Sequence, residues 1–168
     1  NKINLSLFPS GFVFNNQTLR SASIPPEQSI SKVITVENKA NYESMPYEEG
    51  TLIIYSHGYF SPDERAFLIQ LERVLSGIHT SCGTAYLHTG DLDYGGVKIF
   101  QYIKKRIFPK LYPYLMDTQT YDQYMAYGEP IETSKLEKLQ RTAEPLLQPL
   151  IDKICAEKQV IEQESFLF

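Results

Sequence analysis

The sequence predicts an α/β fold with a parallel sheet of about four strands, helices on its faces and a helical extension at the carboxyl end. Two observations lead to this prediction. Short, continuous apolar runs rich in β-branched residues alternate with segments whose apolar residues recur at helical spacing. Such alternation is typical of strand–helix–strand units, in which helices cover parallel strands. We expect one domain over residues 32–168, and we interpret residues 1–31 as a lead-in or the remnant of a missing amino-terminal region.

Two continuous apolar runs predict the first two strands. Residues 32–37, Lys-Val-Ile-Thr-Val-Glu, are β-branched and apolar, and the run stops at a polar stretch. Thr51–Tyr55 has the same character and leads into Ser-His-Gly. The intervening residues 42–50 are polar and are compatible with either a short helix or a loop.

The clearest helix start lies at residues 61–64, Ser-Pro-Asp-Glu. The serine can cap the helix, the proline suits its first turn, and the glutamate three residues after the serine completes a capping box. Gly77 lies near the expected end of this helix. Its apolar positions are Phe67, Leu71, Val74, Leu75 and Ile78.

A strand, an acidic loop and a helix are predicted next, in that order. The strand spans residues 84–88, the loop spans residues 90–96, and the helix has its last apolar position at Ile107. A fourth strand is predicted over residues 111–116. Further helices, interpreted as packing elements, are predicted over residues 118–127, 134–140 and 144–158.

Composition limits the possible classes of protein. The chain is 42% hydrophobic, with 12 Tyr and 9 Phe, so its 168 residues can fill a substantial core. Its 16 basic and 20 acidic side chains give a net charge of −4, so any contact with DNA is expected to be local or mediated by metal. The two cysteines, Cys82 and Cys155, indicate neither a disulfide framework nor a zinc site. Without a secretion signal or a membrane-length apolar run, we expect a cytoplasmic protein. Because the chain opens with Asn1 rather than Met, we also expect a fragment of something longer.

Three carboxylates are expected to meet at one edge of the predicted sheet. Glu37 ends the first strand, and Asp91 and Asp93 follow the third. Ligands of an open parallel sheet gather beyond the carboxyl ends of its strands. Alternate residues of an extended loop project to one side, so both aspartates can face one hard cation while Leu92 packs inward. We therefore predict a Mg²⁺ site, with Mn²⁺ as a substitute, in which Glu37 holds a second ion or acts as a general base.

The glycines of the acidic loop are expected to admit a phosphate backbone. Gly90, Gly95 and Gly96 would leave space, and the following helix would offer free N–H groups, so the site would suit phosphoryl transfer. Glycine-capped acidic loops are nevertheless common in proteins without such a site. A metal–nucleotide site of a sugar transferase is a further alternative, disfavoured because the short chain shows no recognisable sugar-nucleotide region.

Three segments resemble one family. Residues 36–41 (Val-Glu-Asn-Lys-Ala-Asn), 55–59 (Tyr-Ser-His-Gly-Tyr) and 90–96 (Gly-Asp-Leu-Asp-Tyr-Gly-Gly) are similar to the Toprim region of the JetD-like D subunits of Wadjet anti-plasmid defence systems. Residues 115–117 and 162–164 also resemble the carboxyl-terminal portion of that family. The resemblance extends over residues 30–168.

The resemblance implies a Toprim fold, a Rossmann-like sheet found in topoisomerases, primases and some nucleases and closest here to the A subunits of type IIB topoisomerases. It gives Glu37 the family's Glu role, and Asp91 and Asp93 its Asp-x-Asp role. It implies a Mg²⁺-dependent endonuclease that cuts plasmid DNA with an SMC-like complex. Tyr94 stands where relatives often have Pro, which changes loop stiffness but removes no ligand. The alternative is an inactive Toprim docking module that binds DNA or an SMC-like partner.

Other polar residues have both functional and ordinary interpretations. Lys39 and His57 are candidate DNA contacts, although a solvated lysine and an ordinary loop histidine are equally compatible. His88 is expected to be a core residue with a satisfied hydrogen bond. The resemblance makes Glu162 and Glu164 candidate accessory ligands, but a frayed terminus is favoured.

Several properties stay open at this level. No tyrosine is placed beside a base or the acidic loop, so water is the predicted attacking group. The dense basic run at residues 104–106 is compatible with a weak DNA-facing patch, but three adjacent charges on a helix point in different directions and usually only keep the helix solvated. A homodimer is compatible with the sequence, which does not indicate whether one or both DNA strands are cut.

Overall fold

The computed structural model describes residues 3–8, 10–77 and 83–166, so the predicted helix position Ile78 and the thiol of Cys82 lie outside the described residues. Its centre is a four-stranded sheet in the order β2-β1-β3-β4, with every neighbouring pair parallel. The strands are β1 (Lys32–Val36), β2 (Thr51–Tyr55), β3 (Ala85–Thr89) and β4 (Leu111–Pro113). The predicted α/β fold with a parallel sheet is confirmed.

The continuous apolar run of β1 is explained by its central position. Val33 pairs with Leu52 on one side and with Tyr86 on the other, and Val33 and Val36 are fully buried. A strand with neighbours on both edges and helices on both faces has no solvent-facing side, so it needs no polar alternation.

The predicted fourth strand was too long. It ends at Pro113, two residues before Leu115, which adopts a left-handed backbone with φ of 56°. An extended strand cannot contain such a residue, so the chain turns away there. Helical periodicity and β propensity do not reveal this kind of local backbone conformation.

Seven α-helices surround the sheet within the described part of the chain: α1 (Asn16–Ser21), α2 (Lys39–Ser44), α3 (Pro62–Gly77), α4 (Tyr94–Arg106), α5 (Thr118–Tyr124), α6 (Thr133–Gln140) and α7 (Gln148–Glu157). The capping box that begins α3 is confirmed. The Ser61 N–H donates to Glu64 Oε2 at 2.7 Å, and the Glu64 N–H donates to Ser61 Oγ at 3.4 Å.

Three features of the helices and strands differ from the predictions. The last helix begins at Gln148 rather than residue 144, because Pro149 has no N–H to donate within a helix and fits only its first turn. The helix between the first two strands begins earlier than residue 42, since Asn38 caps it by accepting from the N–H groups of Ala40 and Asn41. A two-residue antiparallel pair, β5 (Glu129–Pro130) with β6 (Gln159–Val160), is too short to leave a sequence pattern.

The lead-in contains α1, which packs on α3. Arg20 forms an ion pair with Asp63 at 2.9 Å, and the rings of Phe14 and Phe67 lie 6.3 Å apart. Among the residues that the structure describes, no helix combines the length and the apolar character needed to cross a membrane.

Candidate metal centre at the carboxyl edge of the sheet

The hydrogen-bond ladder between β1 and β3 brings two predicted ligands together. Its final rung is the Glu37 N–H donating to the Thr89 carbonyl at 3.0 Å, so Glu37 stands beside the point where β3 ends. Two residues later, the Asp91 N–H points to Glu37 Oε2 at 3.4 Å. Carboxylates that are 54 positions apart in sequence therefore lie next to each other.

A pocket of about 270 Å³ opens at this edge, and its lining comprises Glu37, Asn38, Tyr55, His57, Gly58 and Asp91. The predicted pair of Glu37 and Asp91 thus faces one space, and the predicted DNA contact His57 shares it. A carboxylate-lined pocket of this kind suits a hard cation together with the polar group that the cation binds.

Asp93 lies beside the pocket rather than in its lining. It is the N-cap of α4, and its Oδ1 accepts from the Gly96 N–H at 2.7 Å. Leu92 is fully buried, as predicted, so the loop does direct its aspartates away from the core. Within the described residues, no three Asp, Glu, His or Cys side chains form a closed metal-binding cluster.

The space beside two of the loop glycines, Gly95 and Gly96, is taken by the protein itself, where the prediction expected room for a phosphate backbone. A Cβ at Gly96 would overlap the carbonyl oxygen of Asp91, and a Cβ at Gly95 would lie 3.1 Å from Asp93 Oδ1. Glycine is required here because the loop folds closely onto the first turn of α4. The tight turn thus fixes both aspartates.

Gly90 separates the site from a buried histidine. A Cβ at Gly90 would overlap Glu37 Oε2 and lie 3.2 Å from His88 Nε2. His88 is fully buried, and its Nδ1 lies 2.8 Å from Thr35 Oγ1. The Thr35 hydroxyl lies within hydrogen-bond distance of the Leu87 carbonyl, so we assign the His88 proton to Nδ1, which donates to Thr35.

The prediction of a satisfied core histidine is therefore half right. Burial lowers the pKa of His88 to about 3, so its imidazole is neutral. His88 Nε2 is buried and has no hydrogen-bond partner among the described residues. An unpartnered buried nitrogen carries a free-energy cost, and this one lies directly behind Glu37.

Burial and neighbouring carboxylates raise the pKa of two residues at this edge, Glu37 and Asp91. Burial, and then the charges of Asp91, Asp93 and Glu162, raise the pKa of Glu37 to about 8. Burial and the neighbouring charges of Asp93 and Glu164 raise the pKa of Asp91, although a hydrogen bond from the Gln163 N–H opposes this shift. In the part of the chain that the structure describes, none of these five carboxylates belongs to an ion pair.

The carboxyl-terminal residues fold back onto this site, so the favoured prediction of a frayed terminus was wrong. The Leu92 N–H donates to the Ile161 carbonyl at 2.8 Å, and Gln163–Phe166 forms a short 3₁₀ helix. Asn38 Nδ2 donates to Glu164 Oε1 at 2.8 Å. Glu162 is largely open to solvent, but its carboxyl contacts Asp91 and its pKa is raised by partial burial and by the charges of Asp91 and Asp93.

The two candidate DNA contacts differ in position. Lys39 is outside the pocket lining, with 69% of its side chain exposed and its Nζ 3.6 Å from Glu43. His57 lines the pocket in a left-handed backbone conformation with φ of 42°, and its Nε2 lies 3.1 Å from Glu64 Oε1. Such a conformation is uncommon for a residue with a side chain, so it marks a backbone held in place by its surroundings.

Tyr59 was not predicted as a site residue. It is 56% exposed, and its ring packs against Tyr102 at a centroid distance of 5.0 Å. Partial burial and the charges of Tyr94 and Glu37 raise its pKa, so the hydroxyl stays protonated near the acidic site. The signal that could have identified it is its place in the segment 55–59, which carries part of the family resemblance.

The residues at this edge fit a divalent cation with oxygen ligands. Among the residues that the structure describes, their carboxylates have no cationic partner, and Gly90 allows the Glu37 carboxylate to lie against the loop, in the place that a Cβ would take. Mg²⁺ usually takes one or two protein carboxylates and keeps several waters, so it does not require a closed cluster of three side chains. A zinc site would require such a cluster.

Comparison with known proteins agrees with the resemblance found in the sequence. The family model for the carboxyl-terminal region of the Wadjet protein JetD matches residues 8–168. A Wadjet protein JetD of Bacillus cereus (strain Q1) is 34% identical over 168 residues, which include 97% of this chain. The chain spans 40% of the length of that relative. This chain belongs to the family of carboxyl-terminal regions of the Wadjet protein JetD.

Proposed function

We propose that this chain is the Toprim-type nuclease domain of a Wadjet anti-plasmid defence subunit, and that it hydrolyses the phosphodiester backbone of plasmid DNA with Mg²⁺. Glu37, Asp91 and Asp93 are the proposed ligands, and Mn²⁺ is a proposed substitute. The observation that carries the proposal is the group of carboxylates at the sheet edge, where burial and neighbouring charges raise the pKa of Glu37 and of Asp91 and neither residue has an ion pair among the described residues.

Elsewhere in the chain, a lysine side chain compensates the charge of a buried carboxylate. Glu144 is only 7% exposed, and the Nζ of Lys104 donates to its Oε1 at 2.7 Å. Glu37 and Asp91 are half-buried, adjacent and, within the described residues, without such a cation. A charge left uncompensated at one site and compensated at another supports an external cation at the first.

The proposed chemistry assigns separate tasks to the protein groups. Hydrolysis adds a water oxygen to phosphorus, breaks one P–O ester bond and releases a proton that a base must accept. When bound, Mg²⁺ stabilises negative charge on phosphate oxygens and lowers the pKa of water. Glu37 lies in the pocket and would be the candidate base once it has lost its own proton, and Asp91 faces the same space. Asp93 holds the loop against α4 through Gly96.

DNA contacts are proposed to be few and local, because the net charge of the chain is −4. His57 would meet a phosphate at the pocket, where Glu64 orients its ring. Lys39 would act as a mobile point charge beyond the rim. The cation itself would supply the strongest attraction for the backbone.

The remaining assignments concern the whole protein. Subunits of an SMC-like complex are the proposed partners, and the cytoplasm is the proposed location because the substrate is plasmid DNA. A homodimer would present two such sites, one for each strand.

Titration calorimetry on the full-length protein tests the proposal. Mg²⁺ and Mn²⁺ would be titrated into the wild type, Glu37→Gln and Asp91→Asn/Asp93→Asn, with folding checked for each. We expect the wild type to bind metal and both variants to lose at least 10-fold in affinity. Glu144→Gln is the matched control, since it changes a paired glutamate away from the site, and its metal affinity should be unchanged.

The outcomes separate the alternatives. Equal affinity in all variants would contradict the metal site. Metal binding without cleavage of plasmid DNA, in the presence of the other Wadjet subunits, would favour the docking module that recruits DNA or an SMC-like partner. Cleavage that survives Asp91→Ala intact would contradict the assigned ligands.

A further inference from the structure

The side chain of Gln163 lies between the ends of the two central strands. Gln163 is fully buried although it belongs to the short 3₁₀ helix at the edge of the fold. Its Oε1 accepts from the Asn38 N–H at 2.9 Å, and its Nε2 donates to Thr89 Oγ1 at 3.1 Å. Asn38 directly follows Glu37, and Thr89 ends β3. One amide group therefore connects β1 and β3 just beyond their last shared rung.

This amide adds a further connection between the two strands beyond their last backbone hydrogen bond. The ladder between β1 and β3 ends where the Glu37 N–H donates to the Thr89 carbonyl, and the loop at Gly90 then turns away. The next N–H, that of Asn38, would lack a strand partner. A glutamine side chain offers one carbonyl acceptor and an N–H donor, as a peptide group does, so it can take the place of the missing strand.

The main chain of the same residue binds a proposed ligand. The Gln163 N–H donates to Asp91 Oδ1 at 2.8 Å. The neighbouring residue Ile161 exchanges two backbone hydrogen bonds with Leu92, at 2.8 and 3.3 Å, and is fully buried. The carboxyl-terminal residues thus hold Asp91 and the loop that follows β3 through these hydrogen bonds.

We infer that Gln163 is a positioning residue of the metal centre, holding Glu37 and Asp91 at a fixed separation by bridging Asn38, Thr89 and Asp91. This inference rests on the proposed metal-binding function. Neutral contacts such as these would set the spacing of the two side chains before a cation arrives.

The chemistry of the position favours an amide. A carboxylate there would place a further negative charge beside Asp91, whose Oδ1 accepts from the N–H of the same residue, and close to Glu37. An apolar side chain of the same length would leave the Asn38 N–H without a partner. Neutral donors and acceptors satisfy both strand ends without drawing the metal ligands out of place.

The test compares Gln163→Met with Gln101→Met in the full-length protein, with Mn²⁺ and Mg²⁺ titrated by calorimetry. Gln101 is the matched control, because its Nε2 also donates a hydrogen bond to an oxygen atom of a distant residue, here the Ala143 carbonyl, but from α4 and away from the pocket. We expect the Gln163 variant to lose about 10-fold to 100-fold in metal affinity, as for other residues that orient ligands. The Gln101 variant should match the wild type.

A second readout separates positioning from general stability. In plasmid cleavage, the Mg²⁺ concentration for half-maximal rate should rise by the same factor in the Gln163 variant, while saturating Mg²⁺ restores most of the rate. A variant that merely unfolds more easily would lose rate in proportion to its unfolded fraction at every Mg²⁺ concentration.

Thr89→Val keeps the inference testable if Gln163→Met does not fold. This substitution replaces the Thr89 hydroxyl, which accepts from Gln163 Nε2, with a methyl group of similar size. We expect a loss of several-fold in metal affinity. Unchanged affinity in whichever of these variants folds would overturn the inference while leaving the metal site intact. A folded wild type that binds no metal would instead remove the proposed function and this inference with it.

Discussion

Two groups of carboxylates in this chain differ in whether a cationic side chain lies beside them. Glu144, beneath α4, is buried against Lys104, whose Nζ lies 2.7 Å from its Oε1. Glu37 and Asp91, at the sheet edge, are half-buried against each other. A buried charge normally requires a partner of opposite sign. The first group follows this rule. The second has no cation among the described residues, and Glu37 instead resists ionisation with a pKa of about 8, which the proposed external cation would reverse.

Breaking the paired group should give the largest effect on folding. Lys104→Met would leave Glu144 buried without its cation, and we expect the free energy of unfolding to fall by about 3 kcal/mol. Urea denaturation at pH 7 measures this change. The double variant Lys104→Met/Glu144→Gln is the control and should recover most of the loss. A single variant as stable as the wild type would show that water compensates Glu144 fully.

Binding of a cation at Glu37 and Asp91 should stabilise the protein by almost as much as the loss of Lys104 destabilises it. At a free Mg²⁺ concentration 100 times the dissociation constant, binding to the folded state alone adds about 2.7 kcal/mol. Thermal unfolding of the wild type should therefore shift upward with Mg²⁺, and that of Asp91→Asn/Asp93→Asn should not. An equal shift in both proteins would place the cation elsewhere.

Removing a charge from the unpaired group should stabilise the metal-free protein. The folded-state pKa of Glu37 is about 8 against 4.5 in the unfolded chain, so the folded state binds the extra proton between these values. Stability is then lost as the pH rises from about 4.5 to about 8. Glu37→Gln should flatten this decline and raise the free energy of unfolding at pH 8 by about 1 kcal/mol, after allowance for solvent screening.

Urea denaturation at pH 5 and pH 8 in the presence of a chelator checks this expectation. Glu144→Gln, whose carboxylate already has a cation, should not flatten the pH dependence. Wild-type stability that rises between these two pH values would be the opposite of the expected sign.

The smallest effect on folding is expected at an exposed pair. Lys39 and Glu43 form an ion pair at 3.6 Å with most of both side chains in solvent, so Lys39→Ala should change the free energy of unfolding by less than about 0.5 kcal/mol. If Lys39 contacts a DNA phosphate, Lys39→Ala should release about one counterion fewer on binding DNA. The slope of the logarithm of the binding constant against the logarithm of the salt concentration should then be shallower by about one. Binding measured at several salt concentrations distinguishes this role from that of a solvated lysine.

The sequence predicted the central elements because their signals are local. The apolar runs of β1 and β2 and the capping box of α3 are each complete within a few residues. The positions of Glu37 and Asp91 followed from the rule that parallel strand ends share an edge, and the structure does bring these two residues together.

What the sequence missed depends on contacts between distant residues. Gln163 meets Asp91 across 72 positions, and no periodicity or spacing links them. The role of Gly96 was misjudged for a similar reason, since only the folded loop shows that the Asp91 carbonyl occupies the space beside it. The end of β4 depends on the left-handed backbone of Leu115, which no residue pattern predicts.

The rung formed by Gln163 also has a consequence for the order of folding. It joins Asn38 to a residue 125 positions further along, so this contact closes one of the longest loops in the chain. Contacts of such range are slow to form, and during synthesis they must wait until residues 161–166 have left the ribosome. The nascent domain would therefore hold its sheet before its acidic edge is fully ordered. In pulse-labelling hydrogen exchange, the Asn38 amide should gain protection after the amides of β1, and earlier protection would contradict this order.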